Sequence, residues 1–170
     1  MHGIYLPKQF FVTSGTGEDN NSELNAFDRA LLRAKITQCN LVNVSSILPK
    51  DAEEIDPIHI TPGTITFAVL ARMSGVSGDR ISAGIGWGKI ENKGGEVYGI
   101  VAEDHGNSSK RYTNQILEEK LEQMARIRRM KLVEWKVRSE SMEVKQRYGC
   151  VVATLVYAPW DEETGSRKMD

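Results

Sequence analysis

Two cysteines and three histidines are all that this chain of 170 residues offers a transition metal, and no two of them stand in a close pair. A dedicated metal centre is therefore not expected, because such centres draw on Cys and His ligands spaced a few residues apart. Cys39 and Cys150 lie far apart in apolar settings. They read as buried free thiols of a protein kept in a reducing cytoplasm. No apolar run is long enough to span a bilayer, and Met1-His2-Gly3-Ile4-Tyr5-Leu6-Pro7 lacks the apolar region of a signal peptide. An excess of either charge is missing too. Lys+Arg 22 against Asp+Glu 23 leaves a net −1, so nothing recommends nucleic acid or an anionic membrane as partner. No P-loop lysine follows Gly15-Thr16-Gly17. No internal repeat and no domain boundary can be found.

What is present is ordinary in amount: 40% hydrophobic and 26% charged residues, enough for one domain spanning 1–170 with a core of its own. Gln9 to Ser14 reads as a first strand, and Gly15 to Ser22 as a polar loop whose glycines supply turn dihedrals. Ser22 or Asn25 can cap a helix in which Leu24, Phe27, Leu31 and Ala34 share one face, with Asp28 beside that stripe. A charged loop spans Lys50 to Pro57. Thr64 to Met73 is a near-continuous apolar strand, expected to be covered on both faces. Arg80 to Gly88 is another strand, whose glycines point to close backbone approach or a bulge. Lys89 to Gly95 is a polar turn. Glu96 to Ala102 is a strand ending in Glu103-Asp104-His105. A long helix follows from Asn107 or Ser108 to about Met130, with Ile116, Leu117, Leu121, Met124 and Ile127 as its buried stripe. Val133 to Val144 alternates as a half-buried strand, Gly149 to Tyr157 is an apolar core strand, and the tail from Asp161 is polar and expected to be flexible. About seven strands and two principal helices, with helices between strand groups, argue a mixed α/β (α+β) layered fold rather than a doubly wound sheet.

One stretch stands out, Asn40-Leu41-Val42-Asn43-Val44-Ser45-Ser46-Ile47-Leu48-Pro49. It reads as a strand buried on at least one face and stopped by Pro49, which has no N–H for a ladder. A buried hydroxyl without a partner costs roughly 1–3 kcal/mol. Two adjacent serines just before the stop therefore need an explanation. The plain one is a strand turning out to solvent.

Leu24-Asn25-Ala26-Phe27-Asp28-Arg29-Ala30-Leu31-Leu32, then Asn40-Leu41-Val42, then Val44-Ser45-Ser46-Ile47-Leu48-Pro49 resemble in order and spacing the signature of the pyruvoyl-dependent arginine decarboxylases. Pro62-Gly63, Ile81-Ser82-Ala83, Gly99-Ile100-Val101-Ala102-Glu103 and Tyr148-Gly149-Cys150 extend the resemblance from about Phe10 to Tyr157. It implies a single-domain four-layer αββα sandwich. It also implies self-cleavage into a β chain, Met1–Ser45, and an α chain from 46 to 170. Ser46 Oγ would attack the Ser45 carbonyl, and residue 46 would become a covalent pyruvoyl group.

Decarboxylation leaves electrons on Cα that no side chain can accept, so a carbonyl that forms a Schiff base is needed. No pyridoxal-phosphate lysine context is recognisable, and a pyruvoyl group would replace that cofactor. By the resemblance the enzyme turns L-arginine into agmatine and CO2. Asn40 would help to stabilise the oxyanion of self-cleavage, and Glu103, held neutral by burial, would protonate Cα. Asp28 would pair with the substrate guanidinium and Leu31 would line its aliphatic stem. Read without the resemblance, Asn40 is equally a strand-end asparagine bonded to backbone. Glu103 is then a strand-end charge with Asp104 and His105 as equal rivals. Arg29 and Lys35 depart from the pattern, standing where some members have glycine. The resemblance also implies a homo-oligomer, a trimer, with sites between subunits. The alternatives are the same chemistry on another amino acid, or an unprocessed paralogue acting as a binding subunit.

Overall fold

The computed structural model describes residues 6–159; the tail expected to be flexible, 161–170, lies outside them. In chain order the elements are β1 (Gln9–Asp19), α1 (Glu23–Arg33), β2 (Asn40–Asn43), β3 (Ile47–Leu48), β4 (Glu53–Glu54), β5 (Ile65–Val76), β6 (Arg80–Glu91), β7 (Val97–Gly106), α2 (Lys110–Ile127), β8 (Lys131–Glu143) and β9 (Tyr148–Tyr157). The first sheet has the order β2-β5-β9-β1-β4 and the second β3-β7-β6-β8.

Side chains alternate across a strand, and three apolar clusters separate accordingly. Phe11 and Val152 face α1, where they meet Ala26, Ala30 and Ile36. Val12 and Val151 face the other way, where they meet Ile81, Ile85 and Val101 of the second sheet. On the far side of that sheet, Ile100 and Ala102 meet Leu117, Leu121 and Ala125 of α2. The layers are therefore α1, first sheet, second sheet, α2, as expected for an αββα sandwich. No helix among the described residues is long and apolar enough to cross a membrane. Cys39 and Cys150 are both free, and burial pushes both thiols up from their ordinary range.

Several local expectations are corrected. Gly15 and Gly17 are not in a loop; β1 runs on through both to Asp19, paired with Val152 and Cys150 of β9. Their role is room. A Cβ at Gly15 would lie 2.2 Å from the Ala30 carbonyl oxygen, and one at Gly17 would lie 2.2 Å from that of Ala26. So close a helix needs small residues on its inner face, and Ala26, Ala30 and Ala34 supply them while Leu24 turns out at 71% exposure. Ser22 is the N-cap, accepting from the Asn25 amide. At the other end Lys35 has φ 61°, with its N–H bonded to the Leu32 carbonyl and that of Ile36 to the Leu31 carbonyl. This is a Schellman ending, which prefers glycine at that position. It gives a physical reason why glycine would suit the position that Lys35 occupies.

The helix α2 starts at Lys110 with Ser109 as cap, and Thr113, Leu117, Leu121 and Ala125 face inward while Ile127 is exposed. The strand β6 continues to Glu91. Gly84 and Gly86 lie against Leu117 and Leu121, the close approach that its glycines predict. Within Lys50–Pro57 a short strand, Glu53–Glu54, pairs in parallel with β1. The end of β5 nearest β2 is uncovered in the single chain, with Ile65 and Phe67 exposed.

Candidate active site

The largest correction concerns Asn40 to Leu48, which is not one buried strand. Asn40–Asn43 is the mostly exposed edge of the first sheet, in parallel with β5. Ile47–Leu48 is the edge of the second sheet, antiparallel to β7. Ser45 and Ser46 are the link that carries the chain from one sheet to the other. Each side of the link is anchored separately. The Val44 N–H donates to the Ala68 carbonyl in the first sheet (3.0 Å), and the Val101 N–H donates to the Ser46 carbonyl in the second (2.9 Å). One residue on, the Tyr157 hydroxyl donates to the Ile47 carbonyl (2.8 Å). Neither serine has a positive φ, so the dipeptide is held by bonds on its flanks rather than by a left-handed backbone. Beyond it, Leu48 lies over Gly99, where a Cβ would come within 2.6 Å of the Leu48 Cβ.

The Val101 N–H bond to the Ser46 carbonyl sets Ser46 opposite Val101, one step beyond the Ile47↔Ile100 pair. Leu48 and Val101 both belong to the core between the sheets, so alternation turns Ser46 toward the same space. Glu103 is two residues past Val101 on that face. Diagonal neighbours in a sheet are about 7–8 Å apart, within reach of a long side chain. Asp104 faces the opposite way, where it is bound by Lys120 of α2 (2.7 Å). The alternation therefore separates Glu103 from Asp104. His105 shares the Glu103 face but lies a further two residues away. The burial expected for Glu103 is absent in the single chain, where it is exposed.

Asn40, Asp28 and Leu31 are not brought to the serines within one chain. The Asn40 amide donates to the Gly63 carbonyl (2.9 Å), the backbone-bonded arrangement. The five residues from there to Ser45 span about 16–17 Å of extended chain. Asp28 is exposed on α1 and accepts from the Thr37 hydroxyl (2.6 Å). Leu31 is buried between α1 and the first sheet. A cavity of about 450 Å³ opens beside Leu48, Gly99 and Trp87. By register it lies on the side of Ser46 away from Glu103. Within it Glu54 accepts from Lys136 (2.8 Å) and from the Trp87 indole (3.3 Å).

Sequence reasoning passed over Tyr157 and Thr37. The signal for Tyr157 was available: a tyrosine in an apolar strand has a hydroxyl that must find a partner when buried.

Residues 9–162 match the model of the pyruvoyl-dependent arginine decarboxylase family. The chain belongs to that family. It is 39% identical over 153 residues to the pyruvoyl-dependent arginine decarboxylase of Methanopyrus kandleri, covering 89% of this chain and 97% of that protein. Identity is 33% over 156 residues to the Thermococcus kodakarensis protein of the same description, and 34% over 157 residues to that of Pyrococcus abyssi. In each case 91% of this chain and 97% of the relative are covered. Membership makes the chain a decarboxylase of arginine with a covalent pyruvoyl cofactor. The Ser45–Ser46 link fits such a group. It offers the Ser46 hydroxyl one residue after an exposed Ser45, and its two flanks are held by different sheets, so a break in the link would leave each flank bonded.

Proposed function

We propose that the chain cuts itself between Ser45 and Ser46 and then converts L-arginine to agmatine and CO2. The observation that carries this reading is the position of the pair, as the link between two sheets with independent anchors. The products would be Met1–Ser45, holding β1, α1 and β2, and a chain from residue 46 to 170. Each keeps its pairing across the cut through β1·β9 and β2·β5. Ser46 Oγ is the nucleophile and the Ser45 carbonyl carbon its target. A pyruvoyl carbonyl at residue 46, condensed with the substrate amine, supplies the electron sink for the carbanion left by CO2. Glu103 delivers a proton to Cα, and burial at a completed site would suit it to do so by keeping its carboxyl neutral.

Asp28 and Leu31 meet the substrate side chain, Asp28 as the planar anion that a guanidinium fits, already oriented by the Thr37 hydroxyl. Because Asp28, Leu31 and Asn40 lie away from Ser46 in one chain, the site is completed between copies in a closed homo-oligomer; that the oligomer is a trimer rests on the family resemblance alone. Exposed Val42, Ile65 and Phe67 around the β2 edge, with Ile47 on the β3 edge of the second sheet, support such a contact surface. Two free thiols suit a cytoplasmic location.

Intact-mass measurement of purified protein under denaturing conditions is the test. Two chains of the stated boundaries are expected, the second ending in a ketone, and Ser46→Ala should give one full-length chain without activity. A single chain in active enzyme would sink the proposal and leave the unprocessed-subunit reading standing.

A further inference from the structure

We propose that Tyr157 is a positioning residue for the self-cleavage, pinning the backbone that follows Ser46 so that Ser46 Oγ stays within reach of the Ser45 carbonyl. This rests on the self-processing reading above. Tyr157 closes β9, in the first sheet, yet its hydroxyl donates to the Ile47 carbonyl of β3, in the second. It is the cross-sheet tie next to the link that carries the chain from β2 in the first sheet to β3 in the second. The tie acts on an edge strand of two residues, which has β7 on one side only. Two consecutive carbonyls after the cut are thus held from different directions, Ser46 by the Val101 N–H and Ile47 by Tyr157.

Packing does not require the hydroxyl. The ring is 5% exposed in the core between the sheets, a place that phenylalanine would fill as well without burying a polar group. Burial pushes the phenol up to about 12, so it remains a donor at any working pH.

The step it serves is an acyl shift. Ser46 Oγ bonds to the Ser45 carbonyl carbon, the C–N bond to Ser46 breaks, and the hydroxyl proton passes to the Ser46 nitrogen. The result is an ester and a free amine. Loss of the Ser46 Cα proton then releases the Ser45 carboxylate and leaves dehydroalanine. Its imine tautomer takes up one water and gives the ketone and ammonia. No oxidant or reductant enters. The first bond forms only if Oγ lies near its in-line approach. A displacement of about 1 Å in a positioned reaction can cost about 100-fold.

The test follows cleavage of newly made chain in a cell-free synthesis, by denaturing electrophoresis and mass, for the parent, Tyr157→Phe and Thr154→Val. Thr154 also donates a buried hydroxyl bond, to the Val69 carbonyl (2.9 Å), but away from the link. Tyr157→Phe is expected to cleave at least about tenfold more slowly. Hydroxylamine should release no extra fragment, because ester formation itself is delayed. Thr154→Val is expected to cleave at the parental rate. Para-aminophenylalanine at 157, which retains a donor, should restore fast cleavage. Folding of each variant is compared by urea titration in a Ser46→Ala background, where no cut intervenes.

Cleavage of Tyr157→Phe at the parental rate overturns the proposal. So does equal slowing of Thr154→Val, which would make the rate a reflection of stability, and so does failure of the amino variant to recover. A parent that never cleaves overturns the self-processing reading itself, a different result from any of these.

Discussion

Replacing Gly17 with alanine should loosen the whole first helix. The new Cβ would sit 2.2 Å from the Ala26 carbonyl oxygen, 2.5 Å from the Ala30 nitrogen and 2.8 Å from the Arg29 Cβ. Two of these are helix backbone atoms, which no rotamer change can move aside. Ordinary carbon contacts lie near 3.5–4.0 Å, so α1 must retreat by roughly 1 Å. That retreat opens the packing of Ala26, Ala30 and Ile36 on Phe11 and Val152. Overpacking typically costs 1–3 kcal/mol, and an immovable neighbour puts this site at about 3 kcal/mol, offset by less than about 1 kcal/mol of chain entropy. For a chain of this size the melting temperature should fall by about 4–12 °C. The comparison is Gly106→Ala, where a Cβ meets nothing within 4 Å and φ is not left-handed. That change should be neutral or stabilising by about 0.4–1 kcal/mol. Urea and thermal unfolding of both variants against the parent would decide. If Gly17→Ala proved as stable as Gly106→Ala, the close-approach account of β1 and α1 would be wrong.

Glu103→Gln should leave cleavage intact and lower turnover by about 10²–10⁴-fold, because an amide cannot donate the proton; failure to cleave would move Glu103 to maturation. Asp28→Asn keeps the bond from Thr37 but loses the charge, so kcat/KM for arginine should fall at least about tenfold with cleavage unaffected. Unchanged arginine kinetics would remove the case for Asp28 as the guanidinium partner. The amides of Asn21 and then Ser22 hold the Asp19 carboxyl below its ordinary value of 3.8. A carboxyl more acidic in the folded chain stabilises it above that pH and loses its contribution as pH falls further. Asp19→Asn should therefore be less stable than the parent at neutral pH, with the gap closing in acid. A gap that stays constant in urea titrations across that range would refute the role.

The sequence by itself determined the elements whose signals are local. Leu117 and Leu121 at helical spacing made α2, the apolar run from Gly149 to Tyr157 made β9, and Ser22 three residues before Asn25 capped α1. The order of Asp28, Asn40, Ser45, Ser46 and Glu103 was enough to point to the family, because the chemistry of such residues travels with their identity and spacing. What the tertiary structure decided is what depends on partners far along the chain. A strand's pairing is not written in the strand: Asn40–Asn43 finds Ile65 to Ala68, while Ile47–Leu48 finds Gly99 and Ile100. One apolar run thus became two edges with the serines between them. Gly15 and Gly17 looked like turn residues because only the packed helix reveals which face needed the space. Glu103 and Asp104 are equal in the sequence. They part only when β7 sets one on the face that carries Ser46 and turns the other toward Lys120, since alternation assigns faces but only a folded sheet says what each face meets.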